Sequence, residues 1–264
     1  PPEDAPWWDD TFDFRVPLTV APDPIARTDK VVVEELNFSS LMASAGAGGP
    51  GFDPDSIRVV EVDASGTVID DSVPHQFDPN NNYDPSTNAT GRLVWQLEGT
   101  TAPGQSRAYH VYFDKESKAI PPATFADQLS VTTTTDEGFE ALRFDLADGS
   151  EWYFHTRDGG GFSSIVDAAG RDWLNWNSAG GSAGDFRGFP NAARPPTPFF
   201  HPGRPNTTTT TVVHQGPLRV TFESRSTDNK WVAVWHAYPT HVDLEMRRTG
   251  SDYWIQYEGT PGGE

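Results

Sequence analysis

Two stretches of this chain set chemistry-bearing side chains among turn residues and aromatics. Asp185-Phe186-Arg187-Gly188-Phe189-Pro190-Asn191 gathers a carboxylate, a guanidinium and an amide, and Phe199-Phe200-His201-Pro202-Gly203 adds an imidazole. The planar guanidinium fork suits a uronate or a pair of sugar hydroxyls, and imidazole titrates near neutrality. Aromatic faces stack on the apolar faces of pyranose rings. Asp185 and His201 are therefore candidate catalytic groups, and Arg187 and Asn191 candidate substrate contacts. An Asp185–Arg187 pair that pins a long loop accounts for the same residues without chemistry.

A second constellation is His236, His241 and Asp243, on two strands joined through Tyr238-Pro239-Thr240. If Pro239-Thr240 is a two-residue loop, antiparallel pairing sets His236 opposite Asp243; a four-residue loop sets it opposite His241. Either register brings an imidazole near a polar partner, as an acid/base pair needs. His236 is thus a catalytic candidate and His241 a substrate contact. Simple packing of a cross-strand pair is the competing reading. Further on, Trp254, Gln256 and Glu258 alternate onto one strand face. Trp254 and Gln256 would make a sugar platform, with Glu258 as general acid or base and Asp185 its companion carboxylate. His155, after Trp152-Tyr153-Phe154, is a weaker candidate of the same kind.

One run points to a metal. Asp78, Asn80, Asn82 and Asp84 stand at the first, third, fifth and seventh positions of a calcium-loop opening. The glycine expected at the sixth position is Tyr83 and the twelfth is Ala89, so half of the pattern is missing. Calcium bound there would be structural. An Asn/Asp-rich hairpin explains the same residues without an ion. A phosphate loop ending in Gly-Lys and a His-Glu-x-x-His helix are absent from the sequence. Asn37-Phe38-Ser39, Asn88-Ala89-Thr90 and Asn206-Thr207-Thr208 fit the glycosylation sequon.

The elements that must hold these groups are short. Alternating apolar segments separated by Gly, Pro, Asn and Asp predict strands over 14–20, 31–38, 57–63, 93–97 and 109–114. In the second half they predict strands over 142–146, 152–155, 218–224, 231–238, 242–248 and 253–258. One brief helix is expected over Ser39–Ala45, and residues 175–217 read as a long irregular segment. The fold class is all-β. Charge and the Pro121-Pro122 pair mark a boundary near Lys115–Ala126, giving a β-sandwich over 1–120 and a second β-domain over 125–264.

Composition narrows the chemistry. The 264 residues contain no cysteine, which excludes disulfide scaffolds, thiolate zinc sites and thiol nucleophiles. The formal net charge of −19 argues against a nucleic-acid partner, because neutralising phosphates requires clustered Lys and Arg. No apolar run approaches the ~20 residues that span a bilayer, so no membrane insertion is expected. Residues 1–132 hold 21 acids against 8 bases, and the remainder 17 against 11; tryptophan runs the other way. An acidic surface with four lysines suits a secreted, extracellular protein. The opening Pro1-Pro2-Glu3-Asp4-Ala5-Pro6 reads as a mature end or linker.

The first block carries Trp8, Phe14–Val20, Ser56–Val60, Val73-Pro74 and Arg107–Asp114. It resembles the small β-sandwich modules that precede catalytic or lectin-like domains in secreted bacterial and archaeal proteins. The second carries Gly160–Asp167, Gly170–Leu174, Phe186–Asn191, Gly216–Val220 and Tyr253–Gly263. That order resembles the β-supersandwich of galactose-mutarotase-like domains and some polysaccharide lyases. The resemblance implies a carbohydrate-binding or polysaccharide-degrading protein acting by glycan hydrolysis or β-elimination. Such domains continue with further strands, so an incomplete supersandwich is also expected, either completed by another chain or a fragment. A different class of function follows from that edge: a structural or adhesive subunit that self-assembles into a filament or surface layer by strand addition.

Overall fold

The computed structural model describes residues 5–47, 51–179, 187–194, 197–257, 259–260 and 263. With 51% of residues in strands and 4% in helices, the protein is all-β, built from antiparallel sheets in a sandwich-type arrangement. The chain divides into two compact units, Pro1–Ala126 and Asp127–Glu264.

In the first unit, β1 (Phe14–Val20), β7 (Arg107–Lys115), β3 (Phe52–Val62) and β4 (Val68–Asp70) form one sheet in that order. The other consists of β2 (Arg27–Asn37), β6 (Thr90–Thr101) and β5 (His75–Pro79). Alternation decides which side chains meet. Tyr109, Val111 and Phe113 of β7 face Leu93, Trp95 and Leu97 of β6 across one buried core. Helix α1 (Phe38–Ser44) closes an end of that core by burying Phe38 and Met42. It starts where the Asn37 side chain accepts the Ser40 N–H at 2.9 Å, and Phe38 stacks on Phe52 with 4.2 Å between ring centroids.

The outer face of the first sheet is also covered. Phe12, Val60, Val62 and Tyr112 form a satellite cluster with Trp8, Ala108 and Ile120. His110 stands on this face at 1% exposure, edge-on to Tyr112, and neither ring nitrogen has a hydrogen-bond partner. Burial, helped by the nearby Arg15 guanidinium, pushes its pKa down to about 4 from 6.5. Between those two values the unfolded chain takes up a proton that the folded one refuses. Stability should therefore fall as pH drops from 6.5 towards 4, then cease to change through this group. Urea unfolding followed across that window should show a shallower pH dependence in His110→Phe. Equal slopes in the two proteins would remove His110 as the cause.

In the second unit, β11 (Gly161–Val166), β10 (Glu151–His155), β9 (Phe139–Leu146) and β8 (Leu129–Asp136) form one sheet. The next is β14 (Thr208–Gln215), β15 (Val220–Ser226), β16 (Val232–Ala237) and β17 (Val242–Arg248). A small sheet joins β13 (Thr197–Phe199), β12 (Ala192–Arg194) and β18 (Trp254–Ile255). Aromatic rings fill the core. Phe222 stacks on Trp235 at 5.9 Å, and Phe154 meets both edge-on at 4.9 and 5.3 Å. Each of these rings contributes about 1.5–3 kcal/mol by leaving water.

Three expectations change. The segment 175–217 is not irregular throughout, since β12, β13 and β14 lie in it. The strand expected over 253–258 contracts to Trp254–Ile255, whose side chains are both about half exposed. Without a buried face, nothing holds a longer ladder. The helix begins one residue earlier than expected, at Phe38, because Asn37 is its cap. Among the described residues no helix is long and apolar enough to cross a membrane.

Candidate functional site

The groups singled out from the second unit's sequence separate into a buried polar knot and an open cleft. The knot is built around His155 at the end of β10, whose side chain is fully buried. The Gly203 N–H donates to its Nδ1 at 3.0 Å, so the ring proton must sit on Nε2. Nε2 then donates to Asp136 Oδ2 at 3.1 Å, and the Ser163 hydroxyl donates to the same oxygen at 2.6 Å. Phe139 and Trp176 pack against the imidazole at 5.1 and 5.0 Å. Serine, histidine and aspartate meet here, but in the wrong order for nucleophilic catalysis. The serine proton faces the carboxylate, and the remaining imidazole lone pair is taken by the backbone, so His155 cannot serve as the base for Ser163. The arrangement fastens the 200–203 loop to β8, β10 and β11.

His201 belongs to this loop. It is 2% exposed, and its Nδ1 lies 2.6 Å from the Pro202 carbonyl. His236 is buried on β16, 3.0 Å from the Thr221 hydroxyl. The two-residue loop is the one adopted, with His236 opposite Asp243 and the Tyr238 N–H donating to the His241 carbonyl at 2.8 Å. His241 and His236 therefore part company. His241 stacks on Tyr238 at 4.7 Å, lies 3.9 Å from an Asp243 oxygen, and reaches the cleft.

That cleft has a volume of about 340 Å³. It opens between β11 and β17, the edge strands of the two larger sheets of this unit. Trp152, Phe162, Ile165 and Phe189 line its apolar wall; Thr240, His241, Val242 and Tyr257 form the rest. Phe189 gets there because its N–H and carbonyl pair with those of Phe162 at 3.0 and 2.8 Å. Beyond it, the Gln256 N–H donates to the Pro190 and Asn191 carbonyls at 3.2 and 3.4 Å. The 187–191 stretch is thus stitched between β11 and the chain around β18, which brings Asn191 next to Gln256. Arg187 is half-buried and Asn191 buried, whereas Trp254 and Tyr257 are 52% and 60% exposed. Asp185 and Glu258 lie outside the described residues.

The residues chosen as a calcium loop serve the β5–β6 hairpin. Asp78 lies in β5 and accepts from Gln76 Nε2 at 2.8 Å. Asn80 donates to Glu35, and the Asn82 carbonyl accepts from Asn88. Asp84 Oδ1 takes the Ser86 and Thr87 N–H groups and the Thr87 hydroxyl, at 2.8–3.0 Å. Those bonds hold its carboxyl below the usual range, the Thr87 N–H foremost. One oxygen of Asp84 is therefore committed to closing the turn. Among the described residues no group of three or more His, Asp or Glu side chains is placed to hold a metal. Of the three sequons, Asn37 caps α1 and Asn88 bonds within this hairpin, while Asn206 is exposed.

Trp152, Phe162, Phe189 and Tyr257 escaped the sequence reading as cleft residues. In alternating strands an aromatic that lines a cleft and one that fills a core look the same. Phe189 and Tyr257 carried the one usable signal, since each adjoins a stretch chosen for its polar groups. No protein-family model and no curated protein sequence matches this chain.

Proposed function

We propose that this is a secreted carbohydrate-binding protein whose second unit holds a glycan in the cleft between β11 and β17. The observation that carries the reading is an open, aromatic-walled cleft with hydroxyl and imidazole groups on it. Pyranose C–H faces pack against Trp152, Phe189 and Tyr257, while Thr240 and His241 exchange hydrogen bonds with ring hydroxyls. No Lys or Arg is among the described residues lining the cleft, and the chain carries −19 net charge, so a neutral glycan suits it better than a uronate. Binding is favoured over hydrolysis or β-elimination. Of the described lining residues only His241 is an imidazole or carboxylate, and the buried His201 and His236 do not reach the cleft.

Affinity electrophoresis through gels containing neutral or uronate polysaccharides tests this. Retardation by at least one neutral polymer is expected, weakened about tenfold in Tyr257→Ala and in His241→Ala, with the melting temperature kept. Free mobility in every gel, or retardation of both variants equal to the parent's, would sink the proposal.

One observation favours the second reading, assembly by strand addition. Edge strand β14 has no acidic, Lys or Arg residue over its eight positions, and Val213 is 42% exposed. In so acidic a chain it is an edge that two copies can approach without like-charge repulsion. Sedimentation velocity over a concentration series would show oligomers abolished by Val213→Lys. A monomer at every concentration removes this reading.

A further inference from the structure

The first unit has a cleft of its own, independent of the reading given for the second. About 290 Å³ in volume, it lies between edge strands β1 and β2, lined by Leu18, Thr19, Val20, Ala21, Val32, Glu34 and Trp95. Two observations on it point to a ligand. Trp95 is 2% exposed, and its indole N–H has no hydrogen-bond partner. Glu34 occupies an inward position of β2, between Val32 and Leu36 on the same face, both of which pack against the core. Yet Glu34 is exposed and lines the cleft. A buried donor without an acceptor is destabilising, and a carboxylate facing an apolar core adds nothing to packing.

An added strand is a poor occupant. Pro17 removes a backbone donor from β1, and β2 is bulged between Thr28 and Lys30, with Asp29 at a φ of +48°. Proline, a bulge and an inward charge are the devices that keep sheet edges from pairing. The occupant is therefore small, and its polarity follows from the groups that face it. It must offer an acceptor to the Trp95 N–H and donors to Glu34. An ammonium offers donors only; a carboxylate or phosphate offers acceptors only and is repelled by Glu34. Hydroxyl groups do both, and a ring bearing them also presents C–H faces to Leu18, Val20 and Val32. A cleft of this size is at the lower end for ligand sites and takes a single ring. We infer that the cleft between β1 and β2 binds one neutral sugar ring, with Glu34 and Trp95 as its polar contacts.

Proton–nitrogen correlation spectra of the full chain test this directly, because each of the nine tryptophans gives one indole signal. Trp95→Phe keeps a ring and removes the N–H, so the signal it deletes is the one to follow. Millimolar glucose, galactose and mannose are added in turn, with methylammonium chloride and sodium acetate as controls. At least one hexose should shift the Trp95 signal saturably, and neither control should. Glu34→Gln, at an exposed position that leaves folding intact, should weaken that binding about tenfold in the titration of the Trp95 signal, which Tyr257→Ala in the other unit leaves unchanged. A Trp95 signal unmoved by all three hexoses, or moved equally by methylammonium, overturns the inference, as does undiminished affinity in Glu34→Gln. If Trp95→Phe does not fold, the hexose titration of Glu34→Gln against the parent decides alone.

Discussion

Gly203→Ala should destabilise the second unit by about 3 kcal/mol. Gly203 has a φ of +75°, which a side chain disfavours, and a Cβ there would overlap the Trp176 indole. That ring cannot swing away easily. It is 3% exposed and held between His155 and Phe139, with centroids 5.0 and 5.4 Å away. Displacing Gly203 also withdraws the N–H that fixes the His155 tautomer. Backbone strain and overpacking each cost about 1–3 kcal/mol, against a typical domain stability of about 5–15. Urea unfolding followed by tryptophan fluorescence would measure it. A loss below about 1 kcal/mol would show that the ring has room to move.

Asp136→Ala should cost a similar amount, about 3 kcal/mol, by leaving the His155 N–H buried without an acceptor and the Ser163 hydroxyl with only the Tyr153 carbonyl, 3.3 Å away. Ser163→Ala removes only one donor and should cost about 1 kcal/mol. The combination distinguishes a shared acceptor from two independent contacts. In Asp136→Ala/Ser163→Ala one orphaned donor is gone, so the double variant should be less destabilised than the two single losses added together. Strict additivity in urea midpoints would show that the two bonds do not share the carboxylate. The same order of groups explains why a serine, a histidine and an aspartate within hydrogen-bond reach here hold a loop instead of breaking bonds.

What was legible in the sequence is what alternation writes. Phe14–Val20 and Val242–Arg248 are strands over the expected residues because their apolar side chains face a core at every second position. The Pro239-Thr240 loop narrowed the His236 register to two choices, and the structure adopts one of them. The strands β8 and β14 were illegible for a physical reason. Both are threonine-rich edges, LSVTTTTD and TTTTVVHQ, in which β-branching favours extended backbone while little apolar contrast marks a face. The knot was hidden differently. Asp136, His155, Ser163 and Gly203 are up to 67 residues apart, and only pairing of β8, β9, β10 and β11 assembles the first three. In the hairpin at 78–88 the Asn and Asp residues chosen for their spacing also close the turn, so one set of side chains fits both readings.

Each unit keeps its cleft at the flank where two sheet edges part, with core aromatics such as Trp95 and Phe162 in its wall. On the proposed readings, the side chains that set what enters include Thr19 and Glu34 in one unit, and Thr240, His241 and Tyr257 in the other. None of these five is part of a buried core. Recognition can therefore drift while folding stays fixed. A library varied at those five positions alone should yield many folded proteins with altered preference, whereas the same diversity placed at Trp235 or Phe113 should yield few that fold. Such a scaffold can acquire new specificities one surface residue at a time.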